Sequence, residues 1–273
     1  MDLKSIYSVQ MDYIQNLVRY ERQGFVYGYY QGKTFYSVFQ PIVDAVGQIL
    51  AFEGLVRITD EHGCSVNPGE YFSSMSPGDE ANVITTLLCG KLHSINLAHT
   101  IYRHSKLFIN VSPSVFTLLA NNRDSIEHLM SRLRCLRLVS SQIVYEITEF
   151  EESDLKGILQ GKAYLEQYGI KTALDDYGAC YATQERAEKI RSPYLKIDRS
   201  YVSDVEFIRQ AVVVAKRIGA KTIAEGIETQ EQFEMCKMNG IDYFQGYWIA
   251  KPMPSQRLQD YQPLALERVL GLV

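Results

Sequence analysis

The feature that most constrains this chain's fold is a repeated alternation of helical and extended segments. Apolar spacing predicts a helix from about Asp79 to Tyr102 before the strand Leu107–Val111, and a helix near Asp124 to Leu136 before Ile143–Ile147. It continues with Leu155–Tyr168 before Lys171–Leu174, about Ala182 to Ile190 before Tyr194–Ile197, and Val205–Ile218 before Thr222–Ala224; a last helix, Gln230–Asn239, precedes Asp242–Phe244. Such units imply parallel strands joined by helical crossovers. Ahead of them, the β-rich runs Phe35–Val43 and Ile49–Ile58 flank Asp44-Ala-Val-Gly47 and read as an antiparallel hairpin. About eight strands result, so the expected fold is α/β, a TIM-like (β/α)8 barrel with an antiparallel first strand.

The flanks carry other signals. Leu3, Tyr7, Met11, Ile14 and Val18 recur at helical spacing, so residues 3 to 20 read as a helix and 1–33 as a helical extension of a domain over 34–273. Aromatic residues from Phe25 to Tyr30, broken by glycines, give no clear periodicity, and Pro254 to Val273 reads as a closing helix or two. A net charge of only -4 argues against a broad basic face for nucleic-acid polymers. Five cysteines, an odd number without a CxxC pair, read as reduced thiols of a cytosolic chain, and no apolar run approaches a membrane span, so a cytoplasmic location is expected.

The chemistry gathers at the strand ends, which a barrel brings to one face. There stand Glu53, Asn110, Glu146, Asp175 with Asp176, Lys196, Glu225 and Gln245. Adjacent side chains of a strand point to opposite faces, so Asp175 and Asp176 reach one site together only where the pleat loosens. An aspartate before a glycine is also a common loop opener or helix cap, and each of the other residues alone could be a solvated charge or a turn-maker. Together they put five carboxylates in a small volume, which demands neutralising cations. Oxygen ligands, one amide and no histidine favour a hard cation, Mg²⁺ or Mn²⁺. His62, His93, His99, His104 and His128 fall outside the strand ends and read as surface or helix residues.

Glu53-Gly-Leu-Val-Arg57 resembles the signature of EAL-domain phosphodiesterases, which hydrolyse the bacterial second messenger cyclic di-GMP. The resemblance extends to Phe39-Gln-Pro-Ile-Val-Asp44, Phe108-Ile-Asn-Val-Ser112, Tyr145-Glu-Ile-Thr-Glu149, Leu174-Asp-Asp-Tyr-Gly178, Tyr194-Leu-Lys-Ile-Asp198, Ile223-Ala-Glu-Gly-Ile-Glu228 and Phe244-Gln-Gly-Tyr247, in family order. It implies that Glu53, Asn110, Glu146 and Asp175 bind one cation, and that Asp175, Asp176 and Glu225 bind a second. It further implies that Lys196 handles the attacking water, Arg57 grips a phosphate oxygen, and Gln40, Pro41 and Leu55 line the nucleotide pocket. Asp198, Glu228 and Gln245 would complete the substrate side, with linear pGpG as product. A homodimer, an upstream sensor domain or regulatory protein, and control of biofilm or motility are expected on the same ground.

Three departures stand out. Cys180 replaces a glycine and Gln184 a leucine in the loop after the aspartate pair, a loop that Glu149 would anchor; Gly54 replaces the more usual alanine, a change expected to be minor. The altered loop keeps open a second reading, a catalytically silent receptor for cyclic di-GMP or a protein-interaction module. A sugar hydrolase with a carboxylate pair is a third, but it explains neither Lys196 nor Asn110.

Overall fold

The computed structural model describes residues 13–76, 79–121, 123–148, 155–179 and 182–258. Of the expectations above, those for residues 3 to 12, Glu149, Cys180 and the closing helix beyond residue 258 lie outside the described residues.

The described residues begin with a helical turn over 13–17 and then turn into β1 (Val18–Tyr20) and β2 (Val26–Tyr30), an antiparallel pair. The helix expected to reach residue 20 therefore stops short. Val18 pairs with Gly28, and extension lets Val18 face inward while Arg19 and Tyr20 face solvent. A sheet edge supplies hydrogen bonds that helical spacing in the sequence does not reveal. β3 (Lys33–Asp44) and β4 (Ile49–Thr59) form the expected hairpin, continued by β5 (Ser65–Val66) and the short helix α1 (Pro68–Ser73). Asn67 caps α1 by accepting from the backbone N–H of Gly69, with proline at its first position.

The alternation then follows: α2 (Glu80–Ala98), β6 (Lys106–Val111), α3 (Pro113–Asn121), α4 (Arg123–Cys135), β7 (Ile143–Ile147), α5 (Leu155–Gln167) and β8 (Lys171–Tyr177). After these come α6 (Gln184–Ile190), β9 (Tyr194–Ile197), α7 (Val205–Ile218), β10 (Lys221–Ala224), α8 (Gln230–Met238), β11 (Tyr243–Phe244) and β12 (Met253–Pro254). β4 and β6 to β11 pair in parallel, and β11 closes on β3 antiparallel, Phe244 opposite Val43. The result is a closed barrel of eight strands whose first strand is antiparallel.

Barrel strands alternate between a face toward the helices and a face toward the axis. Ala51, Phe108, Val144, Ala173, Tyr194 and Ile223 form one buried layer inside the barrel with Ile42. Two residues further along the chain from each of the first six stand Glu53, Asn110, Glu146, Asp175, Lys196 and Glu225, the last of them just past the end of β10. The period of two thus stacks a polar layer directly on an apolar floor. β3 and β4 overshoot the barrel: β4 pairs with β6 only over Ala51–Gly54. Glu53 is therefore mid-strand in β4 yet at the end of its barrel segment. Beyond it, the hairpin arm with β1 and β2 packs on α2 through a second core that includes Phe35, Ile58, Leu88 and Leu92. No helix among the described residues is long and apolar enough to cross a membrane.

Candidate active site

Lys196 is the centre of the polar layer. Its ammonium lies 2.5 Å from Glu146 Oε1, 2.8 Å from Glu225 Oε1, 2.9 Å from Asp175 Oδ1 and 3.7 Å from Glu53 Oε1, and the side chain is 1% exposed. Burial alone would push the Lys196 pKa down, but the four carboxylates outweigh it and hold the value well above the usual lysine range. Burial, reinforced by Glu53, raises Glu146 well above the usual carboxylate range despite Lys196. Burial likewise raises Glu225, against the opposing pull of Lys196. Glu53 differs because burial is overcome by Lys196 and by donated hydrogen bonds, and its pKa is lowered. Asn110 Nδ2 donates to Glu53 Oε1 at 3.1 Å, and Gln245 Nε2 donates to Glu53 Oε2 at 2.5 Å. Gln245 also donates to Gln40 Oε1 at 3.2 Å, and Gln40 donates to the carbonyl of Ala250.

The aspartate pair depends on a local irregularity. The pairing of β8 with β9 slips between Leu174 and Tyr177, and Asp176 takes φ 51, in the left-handed region. Expected to end at Leu174, the strand instead continues through this bulge. A non-glycine residue there is held at some cost in strain, which fits a side chain fixed for a purpose. With it, Asp175, Asp176 and Glu225 each offer a carboxylate oxygen within 4.8 Å of one another.

The residues fit a divalent cation on their own chemistry. Glu146 is fully buried and its Oε2 has no hydrogen-bond partner, and Gln245 Oε1, also buried, lacks one too. An orphaned buried carboxylate oxygen within an all-oxygen donor set suits Mg²⁺ or Mn²⁺. Burial favours the protonated forms of Glu146 and Glu225, and a bound cation would take the place of those protons.

Two cavities meet over this layer. One of about 260 Å³ is lined by Gln40, Leu55, Arg57, Asp198, Glu228 and Gln245, as well as by Arg199 and Tyr247. A larger one of about 700 Å³ runs from Asn110, Asp175 and Asp176 under the hairpin arm to Phe72 and Met75 near α1 and to Asn82 and His93 on α2. Glu53, Leu55, Arg57 and Asp176 border both. Pro41 lines neither; it stands opposite Phe52 in the hairpin register, one residue off the face that carries Gln40. Asp198 accepts from the Ser200 N–H, and Glu228 pairs with Arg199 at 3.3 Å.

Sequence reasoning singled out neither His93 nor Arg199 for these walls. His93 lies on a helix, as expected, but is 2% exposed, and its Nδ1 is 2.9 Å from Ser37 Oγ. A Cβ on Gly54 would sit 2.7 Å from Cγ of His93, so the glycine is not a minor variant of alanine here. The sequence signal for Arg199 was its place directly after Tyr194-Leu-Lys-Ile-Asp198.

Comparison with known proteins agrees with this geometry. The family model "EAL domain" matches residues 27–252. The chain is 28% identical over 232 residues to the probable cyclic di-GMP phosphodiesterase PdeN of Escherichia coli K12, covering 81% of this chain and 44% of PdeN. It is 26% identical over 223 residues to the blue light- and temperature-regulated antirepressor BluF of the same organism, covering 78% of this chain and 53% of BluF. The chain thus spans about half the length of these curated relatives. Among solved structures, a manganese and cyclic di-GMP complex of Klebsiella pneumoniae BlrP1 superposes with a TM-score of 0.67 at 24% identity, over 82% of this chain and 57% of that one. The barrel with its antiparallel first strand, the polar layer on its floor and the family match over most of the length lead to one conclusion: this chain belongs to the EAL domain family.

Proposed function

We propose that the chain is a divalent-metal-dependent phosphodiesterase that opens cyclic di-GMP to linear pGpG. The observation that carries this reading is the Lys196 ammonium within 3.7 Å of Glu53, Glu146, Asp175 and Glu225, buried beneath cavities that Glu53, Asp175 and Glu225 line. In this reading Glu53, Asn110, Glu146 and Asp175 hold one Mg²⁺ or Mn²⁺, and Asp175, Asp176 and Glu225 hold another. Two such cations, when bound, supply a nucleophile from water at neutral pH and stabilise charge on the scissile phosphate and its leaving oxygen.

The chain's own residues do the rest. Lys196, kept as an ammonium by the carboxylates around it, orients the attacking water by donating a hydrogen bond to it. Gln245 and Asn110 fix the Glu53 carboxylate by donating to its two oxygens. Arg57, on the mouth of both cavities, grips a phosphate oxygen with its planar fork. Gln40, Leu55 and Asp198 bound the nucleotide, and Glu228 stands at the rim paired with Arg199. Pro41, placed off that face, acts by shaping the strand that carries Gln40. The names of PdeN and BlrP1's complex support this substrate and a divalent cation.

The test is Glu53→Ala assayed with Mn²⁺ by chromatography of pGpG, with cyclic di-GMP binding followed in parallel. Lost turnover with retained folding supports the reading; unchanged turnover rules it out. The likeness to an antirepressor favours one other reading, a module that signals by contact with a protein. Wild-type chain that binds cyclic di-GMP without cleaving it would select that reading. A homodimer and control by a sensor domain remain proposals from the family resemblance, and sedimentation with and without ligand tests the first.

A further inference from the structure

A cyclic dinucleotide carries two phosphates, and the carboxylate floor with its cations accounts for one. With Arg57 gripping an oxygen of that same phosphate, the other is best met by a second cationic group on the mouth, because the smaller cavity is otherwise acidic. Its lining includes Asp198 and Glu228 beside Glu53, Asp176 and Glu225, and just two positively charged side chains, Arg57 and Arg199. They stand on different walls: Arg57 on the arm of β4, Arg199 in the turn that follows β9.

Arg199 is anchored at its stem and loosely held at its head. Gly226, directly after Glu225, has φ +64, and a Cβ built there would lie 2.5 Å from the Arg199 Cβ. The bare glycine therefore lets the arginine stem pack against the backbone that presents Glu225. The guanidinium Nη2 donates to Glu228 Oε1 at 3.3 Å, with the two side chains 69% and 53% exposed. Exposed single-point pairs of this kind are weak, whereas a phosphate can take two parallel N–H bonds from the same fork. Exchange of Glu228 for a phosphate costs little and gains a stronger contact.

We propose that Arg199 is a second phosphate clamp, parked on Glu228 in the free protein and transferred to the phosphate of the cyclic dinucleotide that is not cleaved. This rests on the phosphodiesterase reading and deepens it. Glu228 then serves as the parking counter-ion rather than as a direct ligand of the nucleotide.

The experiment compares wild type, Arg199→Ala, Arg199→Lys and Glu228→Gln on cyclic di-GMP and on bis(4-nitrophenyl) phosphate, which has one phosphate. For Arg199→Ala, KM for cyclic di-GMP is expected to rise about tenfold with kcat changed by less than about threefold, the split of a residue that binds ground and transition states alike. The selectivity for the dinucleotide over the monophosphate diester should fall by about the same tenfold factor. Arg199→Lys should recover part of the loss, and Glu228→Gln should lower KM by removing the competitor. Mn²⁺ affinity by calorimetry should stay within about twofold, which separates the clamp from damage to the cation site. An unchanged KM, or equal losses on both substrates, overturns the clamp. If wild type cleaves neither substrate, the phosphodiesterase reading fails, and calorimetry of cyclic di-GMP on wild type and Arg199→Ala decides the clamp: about tenfold weaker binding supports it and equal affinity overturns it. A wild type that neither cleaves nor binds cyclic di-GMP overturns both.

Discussion

Gly54 and His93 occupy one space: the carbon that Gly54 lacks would sit 2.7 Å from Cγ and 2.9 Å from Cδ2 of the imidazole. The ring cannot easily retreat, since its Nδ1 is 2.9 Å from Ser37 Oγ and its face meets Phe39 edge-on at 6.1 Å between centroids. Gly54 is the neighbour of Glu53, so the pair sets the backbone that aims a carboxylate into the site.

Gly54→Ala, which restores the more usual family residue, should therefore destabilise this chain by about 1–3 kcal/mol, the range for overpacking a filled core. His93→Ala should be destabilising alone but should relieve the clash in the double variant, with a coupling of about 1 kcal/mol or more by urea denaturation. Strictly additive effects would show that the two residues do not share the space.

His93 also gives the stability a pH dependence of known sign. Burial pushes its pKa down to about 4, although the charge of Glu53 acts the other way. The folded value lies below the unfolded value of about 6.5, so as pH falls the unfolded chain takes up the proton first. The contribution is fully present above about pH 6.5 and is lost toward about pH 4, to a limit of about 3 kcal/mol. His93→Asn carries no such proton, and its denaturation free energy should fall less steeply than wild type between pH 7 and 4.5. Parallel profiles would count against the assignment.

Removal of Lys196 should expose how far the carboxylates depend on a cation. Lys196→Met leaves Glu146, Asp175 and Glu225 without the ammonium now within 2.9 Å of each. Breaking a buried ion pair by removing one partner costs about 3–5 kcal/mol, so the melting temperature in EDTA should fall by roughly 6 °C or more. Millimolar Mn²⁺ should raise the melting temperature of the variant more than that of wild type, because ions replace the lost charge. A variant as stable as wild type in EDTA would mean that these groups are neutral in the free protein.

Much of the barrel was legible because its helices and strands carry one dominant period each. Ile143–Ile147, Tyr194–Ile197 and Val205–Ile218 have the bounds that periodicity alone assigns. α1 and α3 were missed: α1 has too few residues for a period to register, and α3 follows β6 with only Ser112 between them. β1 was read as helix because three residues of edge strand are decided by pairing with β2.

The sequence by itself determined the alternation, the polar residue two places beyond each apolar floor residue, and hence which side chains meet if the barrel closes. Those follow from local periods of two and 3.6, which each segment carries alone. Only the tertiary structure decided the closure of β11 on β3, the slip in β8 that turns Asp176 beside Asp175, and the burial of Lys196 among four carboxylates. It alone brought His93 onto Gly54 and Arg199 onto Gly226. These are contacts between segments far apart in the chain, where the space left by one backbone is filled by another, and no local pattern records that space.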